Sequence, residues 1–308
     1  MKKNVFNLSL GLLLAFSVSS FGAVNIKLNL EKGKTYKIRS VSNQTIQQSM
    51  NGQSMTVEQK SRTLVSLQLK DKEKENFIIE VHLDSLWTKQ SSTMGSKETD
   101  YSTPAKSDDW NTRFLNEFVK PKYIIKVSPS GKVLSIVNFK PIKDALTILM
   151  DSVPTLKKDM IQKQMNATFK ESLFQTMFEP FFSHLSEKEL NVGEKWETTN
   201  NQNVSGITII LFNTFTLNGI ENGLAKVAVQ TEFESSPSTE PASAGMPKMT
   251  PEIKGTSSGN MMIDPKTGLV KNSTSKGHIE GPVSVEMNGN TMKLTITMDV
   301  ETFTNIIE

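Results

Sequence analysis

The 308-residue chain holds three histidines, His82, His184 and His278, and no cysteine. Those counts bound its chemistry. Without Cys there is no disulfide scaffold, thiolate zinc site, iron–sulfur ligation or cysteine nucleophile. No histidine lies in a His-Glu-x-x-His pattern, and no Walker loop occurs. His82 with Asp84, and His278 with Glu280, are i, i+2 pairs that strands would project to one face. If those strands were neighbours, the four groups could form a two-histidine, two-carboxylate metal site. Otherwise they are polar residues on the wet face of a sheet. Spacing is all that supports the site, so no metal and no other cofactor is assigned. Carboxylates suffice for a glycosidase-type acid pair, but three Trp and three Tyr offer few sugar platforms. No catalytic residue emerges, and the chain reads as a non-enzyme.

The side chains that do stand out are apolar. Fifteen Met and sixteen Phe are present. Met160, Met165, Phe169, Phe174, Met177 and Phe178 recur at helical spacing in a segment running from about Thr155 to Glu179. Pro180 ends or kinks it, and Phe181 and Phe182 follow. Met adapts to irregular apolar surfaces, and Phe adds area without a polar handle. Two compatible readings follow: a helix layer packing the core of a curved sheet, or a lid lining a lipid-sized cavity. These eight residues are the candidate ligand lining.

The elements that must position them are mainly strands. Phe77, Ile79, Val81 and Leu83 alternate with Ile78, Glu80, His82 and Asp84. Val65, Leu67 and Leu69 alternate likewise, as do Ala225 to Phe233 and Leu294 to Val300. One-sided alternation predicts an antiparallel sheet with one wet face. Asn51-Gly52 and Asn288-Gly289 are hairpin turns, and Ser128 to Gly131 and Asp264 to Gly268 are Pro-led turns closed by Gly. Helical signal gathers between two strand-rich halves, in an insert over about 107–185. There Trp110, Phe114, Leu115 and Phe118 share one face, and Pro141 to Val153 forms a second short helix. Ser91–Lys106 and Ser235–Gly255 both read as mobile solvent loops.

Lys2, Lys3, the apolar run Leu8–Val18 and the small residues Ser19, Ser20 and Gly22 have the plan of a secretory signal peptide over 1–22. That predicts an exported domain over 23–308, periplasmic or extracellular. No Cys at the cleavage point means no lipid anchor, and no later stretch is long and apolar enough for an integral span. Loss of Lys2 and Lys3 lowers the formal charge from +3 to +1, so nucleic acid is not an expected partner.

The halves echo each other. Leu30-Glu31-Lys32-Gly33-Lys34-Thr35-Tyr36 parallels Leu190-Asn191-Val192-Gly193-Glu194-Lys195-Trp196, and the two Pro–Gly turns parallel one another. Duplication and convergent turn chemistry both account for this. The leader pattern, Leu30-x-x-Gly33-x-x-Tyr36, the central insert, Gly193 to Trp196 and Asp264 to Val270 resemble an exported family of unknown function common in Bacteroidota. The resemblance spans nearly the whole chain beyond the leader and carries no catalytic residues. In plan the chain is also similar to the half-barrel of periplasmic lipoprotein carriers, in which an incomplete barrel wraps apolar helices. The resemblance implies a curved, mainly β half-barrel with a helical insert, and the Met- and Phe-rich stripe beside long amphipathic strands points to an exported envelope protein that binds a lipid or other apolar molecule. The alternative is an envelope scaffold with a filled core, whose edge strands and 235–255 loop bind a partner protein.

Overall fold

The computed structural model describes residues 23–50, 52–93, 95–100, 119–150, 171–204, 207–236, 248–287 and 290–307. In the first half, β1 (Val24–Asn25) precedes β2 (Thr35–Met50), β3 (Gln53–Glu73), β4 (Asn76–Ser92), β5 (Gly95–Asp100), β6 (Lys122–Val127) and β7 (Val133–Ile136). Helices α1 (Phe139–Met150) and α2 (Glu171–Phe178) follow, and one 3-10 turn (Glu179–Phe181) carries Pro180 at its start. The second half holds β8 (Glu189–Leu190), β9 (Lys195–Val204), β10 (Ile207–Glu221), β11 (Leu224–Ser236), β12 (Lys248–Pro251), β13 (Lys254–Asp264), β14 (Leu269–Met287) and β15 (Asn290–Ile307).

Strands β1 and β8 pair with each other, and the other 13 form one antiparallel sheet. Its order is β9-β10-β11-β13-β14-β15-β2-β3-β4-β6-β7, with β5 added beside β4 and β12 beside β14. The sheet is large, curved and not closed into a barrel, and β7 and β9 stand at the two ends of that order. The expected fold class is therefore the observed one. Long hairpins suit residues that alternate Ser, Thr, Val or Ile with charged residues, because each parity meets a different environment. Tight turns set the register. Asn222 and Gly223 both have positive φ, 52° and 78°, and join β10 to β11 as a two-residue turn.

The two halves repeat in geometry as well as in sequence. Each starts on a turn in which the residue before the glycine pair's aromatic strand folds back: Lys34 N–H donates to Glu31 O and Glu194 N–H to Asn191 O. Gly33 and Gly193 then turn with φ of 81° and 93°, and each donates to a neighbouring strand, at Leu69 and Leu217. In both, three long strands, a longer connection, a fourth strand, the Pro–Gly turn and a fifth strand follow: β2, β3, β4, β6, β7 and β9, β10, β11, β13, β14. Strand β15 then joins the repeats by pairing with both β14 and β2.

Burial concentrates at one end of the strands. Tyr36, Leu67, Ile79, Val81, Ile125 and Val127 of the first half and Trp196, Phe215, Leu217, Val227 and Ile263 of the second share one core. Ile26, Leu28 and Leu30 and the aromatic residues of α2 pack into it. A smaller cluster of Ile253, Ile279 and Val283 lies along the other part of the strands.

Three expectations need adjusting. Within the span read as a helical insert, Lys122–Val127 and Val133–Ile136 are strands. The alternation of buried Tyr123, Ile125 and Val127 with Lys122, Ile124 and Lys126 is the strand signal there. Gly95–Asp100, read as solvent loop, is β5 paired to β4. The end of the stretch read as a mobile loop is also ordered, because β12 pairs with β14 and Ile253 is buried against Ile279 and Val283. The leader, the Trp110–Phe118 helix and residues 151–170 lie outside the described residues.

Candidate functional site

Strand register aligns the side chains of neighbouring strands row by row. The face that carries the core continues along β2 as Ser40, Ser42, Gln44 and Ile46, opposite Thr63, Ser61, Gln59 and Val57 of β3. On the other side of β2 it continues through Thr304, Thr302, Val300 and Met298 of β15. Ser273, Ser275, Gly277 and Ile279 of β14 extend it, then Gly259 and Ser257 of β13, Val229 and Thr231 of β11, and Phe215 and Asn213 of β10. Thr198 and Asn200 of β9 complete the row. Along β13 and β14 these positions are half-buried while the intervening ones are exposed, which marks this face as the shielded, concave one.

Charge is sorted completely between the faces. Among the described residues of β2, β3 from Gln53 to Leu69, β4 from Ile79, β9, β10 to Leu217, β11, β13, β14 from Ser273 and β15, the concave parity carries no Asp, Glu, Lys, Arg or His. The convex parity carries Lys37, Arg39, Lys60, Arg62, Glu232 and Glu301 among many others. The concave wall is instead hydroxyl, amide and aliphatic. Its polar groups bond one another: Ser40 Oγ lies 3.2 Å from Thr304 Oγ1, and Gln44 donates to Ser42 at 3.4 Å. The Thr231 hydroxyl donates to Asn213 at 2.8 Å, and Asn213 donates to Asn200 at 3.0 Å. A charge on a shielded face would lose hydration with nothing to replace it, whereas neutral groups can satisfy each other.

At the core end this wall is plugged. Phe174, Phe178 and Phe182 are buried, and the rings of Phe174 and Phe178 lie tilted against Tyr123 with centroids 5.5 and 5.2 Å away. Met177 and Phe181 pack half-buried beside them. Burial also holds the Tyr123 hydroxyl far above its usual pKa. Five of the eight candidate lining residues thus come together as packing around α2. Met160, Met165 and Phe169 lie outside the described residues.

Helix α2 also bridges the open seam of the sheet, packing against both β7 and β9. Beside β9 is a cavity of about 750 Å³. It is lined by Lys195 to Asn200, Glu179, Ser183, Leu185 to Lys188 and the Ser130–Lys132 turn, and none of the five described candidate residues is in it. Burial raises the Glu179 carboxyl above its ordinary pKa, opposed by a hydrogen bond from Asn200 and by Lys132. His184 is buried behind this wall. Its Nε2 meets Gly268 O at 2.7 Å, its carbonyl accepts from Trp196 at 3.1 Å, and burial lowers its pKa to about 4.

The histidine pairs do not assemble. His82 is on β4 and His278 on β14, with β3, β2 and β15 between them. Each finds local partners on the convex face: His82 meets Asp84 at 2.7 Å, and His278 meets Asp299 at 2.7 Å. Ser66 also bonds Asp84, so the carboxylate sits between serine and histidine, the wrong order for activating a nucleophile. Among the described residues no group of three or more metal-ligating side chains gathers.

Residues 74–270 match a family of unknown function, DUF6263. The chain belongs to that family. No curated protein matches this DUF6263 chain. Among solved structures it is similar to a structure described as lipid–protein interactions in lipovitellin, at 10% identity and TM-score 0.47, covering 91% of this chain but 26% of that one. It is also similar to an outer membrane channel from Pseudomonas putida F1, at 8% identity and TM-score 0.28, covering 91% and 97% of the two chains. A DUF1329 protein from Desulfovibrio piger matches at 10% identity and TM-score 0.14, over 85% and 83%. At TM-scores below 0.5, none of these likenesses bears on what the DUF6263 chain binds. No described helix is long and apolar enough to cross a membrane.

Sorting charges by strand parity would have found the uncharged parity of each strand in the sequence, but not that these parities share one face. The cavity beside β9 had no such local signal, because it depends on which strand ends the sheet.

Proposed function

We propose that this protein is a non-catalytic binding protein of the cell envelope that holds an uncharged amphiphile, a lipid or lipid-like molecule, against its concave face. The observation that carries the reading is the absence of charge from the described concave wall while its other face is densely charged. Such a wall offers hydroxyl and amide partners to a neutral polar head. Ile46, Met298 and Ile296, all half-buried, offer apolar surface to a chain. An ionic ligand would find no counter-charge there. The Lys2, Lys3 and Leu8–Val18 leader pattern supports export. The filled floor under α2 favours a second reading, a scaffold without ligand.

A fluorescent monoacylglycerol separates the two. The protein should bind it and discriminate against an anionic fatty acid. Ser42→Asp, on the concave wall, should weaken binding at least about tenfold, because a shielded carboxylate is left without a partner. Asn43→Asp adds the same charge one residue away on the convex face and should change binding less than about twofold. No binding, or equal effects of the two substitutions, would sink the reading.

A further inference from the structure

The two strands that end the main order of the sheet are treated differently. On β7 the outward backbone groups are taken: Ile136 N–H donates to Glu171 at 2.7 Å, and Gln175 donates to Leu134 O at 3.0 Å. On β9 they are not. Leu217 N–H donates to Glu194 O, and Leu217 O accepts from Gly193 N–H, so the odd residues of β10 turn their backbone groups toward β9. Phe215 and Asn213 pair with Trp196 and Thr198, which therefore face inward. The N–H and C=O of Glu197 and Thr199 are left pointing out of the sheet, and no described residue bonds them. The 750 Å³ cavity lies on this side, lined by six consecutive residues from Lys195 to Asn200. A cavity on one face of a strand would touch every second residue; this one runs along the edge.

We propose that the cleft takes an extended peptide segment of a partner protein as a strand added to β9. A row of backbone donors and acceptors that no described residue pairs is matched by another backbone. Six strand residues span about 20 Å, and 750 Å³ over that length has room for one strand at the usual spacing of about 4.8 Å. The 179–188 segment shares the cleft, so the wide edge of a second copy of this chain does not fit. Side-chain chemistry narrows the occupant further. Its inward residues meet Trp196, Thr198 and Asn200, all uncharged, and its outward residues meet Lys195 and Glu197. The segment alternates uncharged residues with charged ones of both signs. The proposal rests on the edge of β9 and not on any ligand held against the concave face.

Random nine-residue peptides displayed on phage and selected on the full chain provide the test. Synthesised winners are then measured against wild type and three variants. Thr199→Pro removes an outward N–H without touching the β10 ladder, and edge strands tolerate proline there. Thr199→Ala keeps the N–H and removes the side chain. Ser183→Trp fills the cleft and carries the test if the proline variant fails to fold. The winners should alternate as described, bind Thr199→Ala within about twofold, and lose at least tenfold on Thr199→Pro and Ser183→Trp. Failure to select any peptide, or winners that bind Thr199→Pro and Ser183→Trp as well as wild type, would overturn the proposal.

Discussion

His184 makes the stability of this protein depend on pH in a calculable way. Its ring is almost fully buried at 3% exposure, held neutral, and its pKa falls from 6.5 to about 4, chiefly through burial. Above pH 6.5 both folded and unfolded chains carry a neutral ring, and its contribution is whole. As pH drops below 6.5 the unfolded chain takes up a proton that the folded one refuses until about pH 4. Stability is therefore lost across that window. At about 1.4 kcal/mol per pKa unit the full loss is about 3 kcal/mol, of which about 2 kcal/mol is lost by pH 5. His184→Gln keeps a donor for the Gly268 carbonyl and cannot titrate. Urea unfolding at pH 7 and pH 5 should show wild type losing about 2 kcal/mol more than His184→Gln. Other groups move with pH too: the raised Glu179 acts in the opposite direction, and Glu80, held low by Lys122, loses stability at lower pH. Both remain in the variant, so the difference isolates His184. Parallel profiles, within about 0.5 kcal/mol, would refute the claim that a neutral imidazole is locked in this joint.

Two further predictions test the frame. Gly33 and Gly268 have similar φ, 81° and 76°, but a Cβ on Gly33 meets nothing while one on Gly268 comes 2.3 Å from Lys27 O. Gly33→Ala should cost about 1–2 kcal/mol for backbone strain alone, and Gly268→Ala a further 1–3 kcal/mol or so for the clash, read by urea melts. Removing Glu171 and Gln175 together as Ala uncaps the β7 edge. Sedimentation velocity should then show concentration-dependent self-association absent from wild type, and an unchanged monomer would mean that the caps do not guard the edge.

How much of this was legible in the sequence follows from range. Strands such as Phe77–Leu83 and Ala225–Phe233 announce themselves because alternation is local. The same holds for the Gly33 and Gly193 turns, where glycine takes a φ that other residues avoid. Asn222-Gly223 carried the same signal as Asn51-Gly52 and was readable by the same rule. Strands β6 and β7 were harder, being four to six residues long and flanked by helical signal. The concave wall was half visible: Ser40, Ser42 and Gln44 alternate with Arg39, Val41 and Asn43, but pairing with Thr304 some 264 residues away is needed to see a shared face. The burial of Phe174 and Phe178 was foreseeable from helical spacing. Their partner Tyr123 was not, since contact with it depends on how the sheet curls around α2. The free edge of β9 is a property of the whole strand order, which no window of sequence contains.

Whether the uncharged concave face holds a neutral amphiphile decides what this protein does. Native mass spectrometry of the full chain, purified without detergent and incubated with a monoacylglycerol, tests this most directly. The predicted spectrum shows a one-to-one complex for wild type and Asn43→Asp that is depleted for Ser42→Asp. A bare protein mass for wild type, or an adduct retained equally by Ser42→Asp, would contradict it.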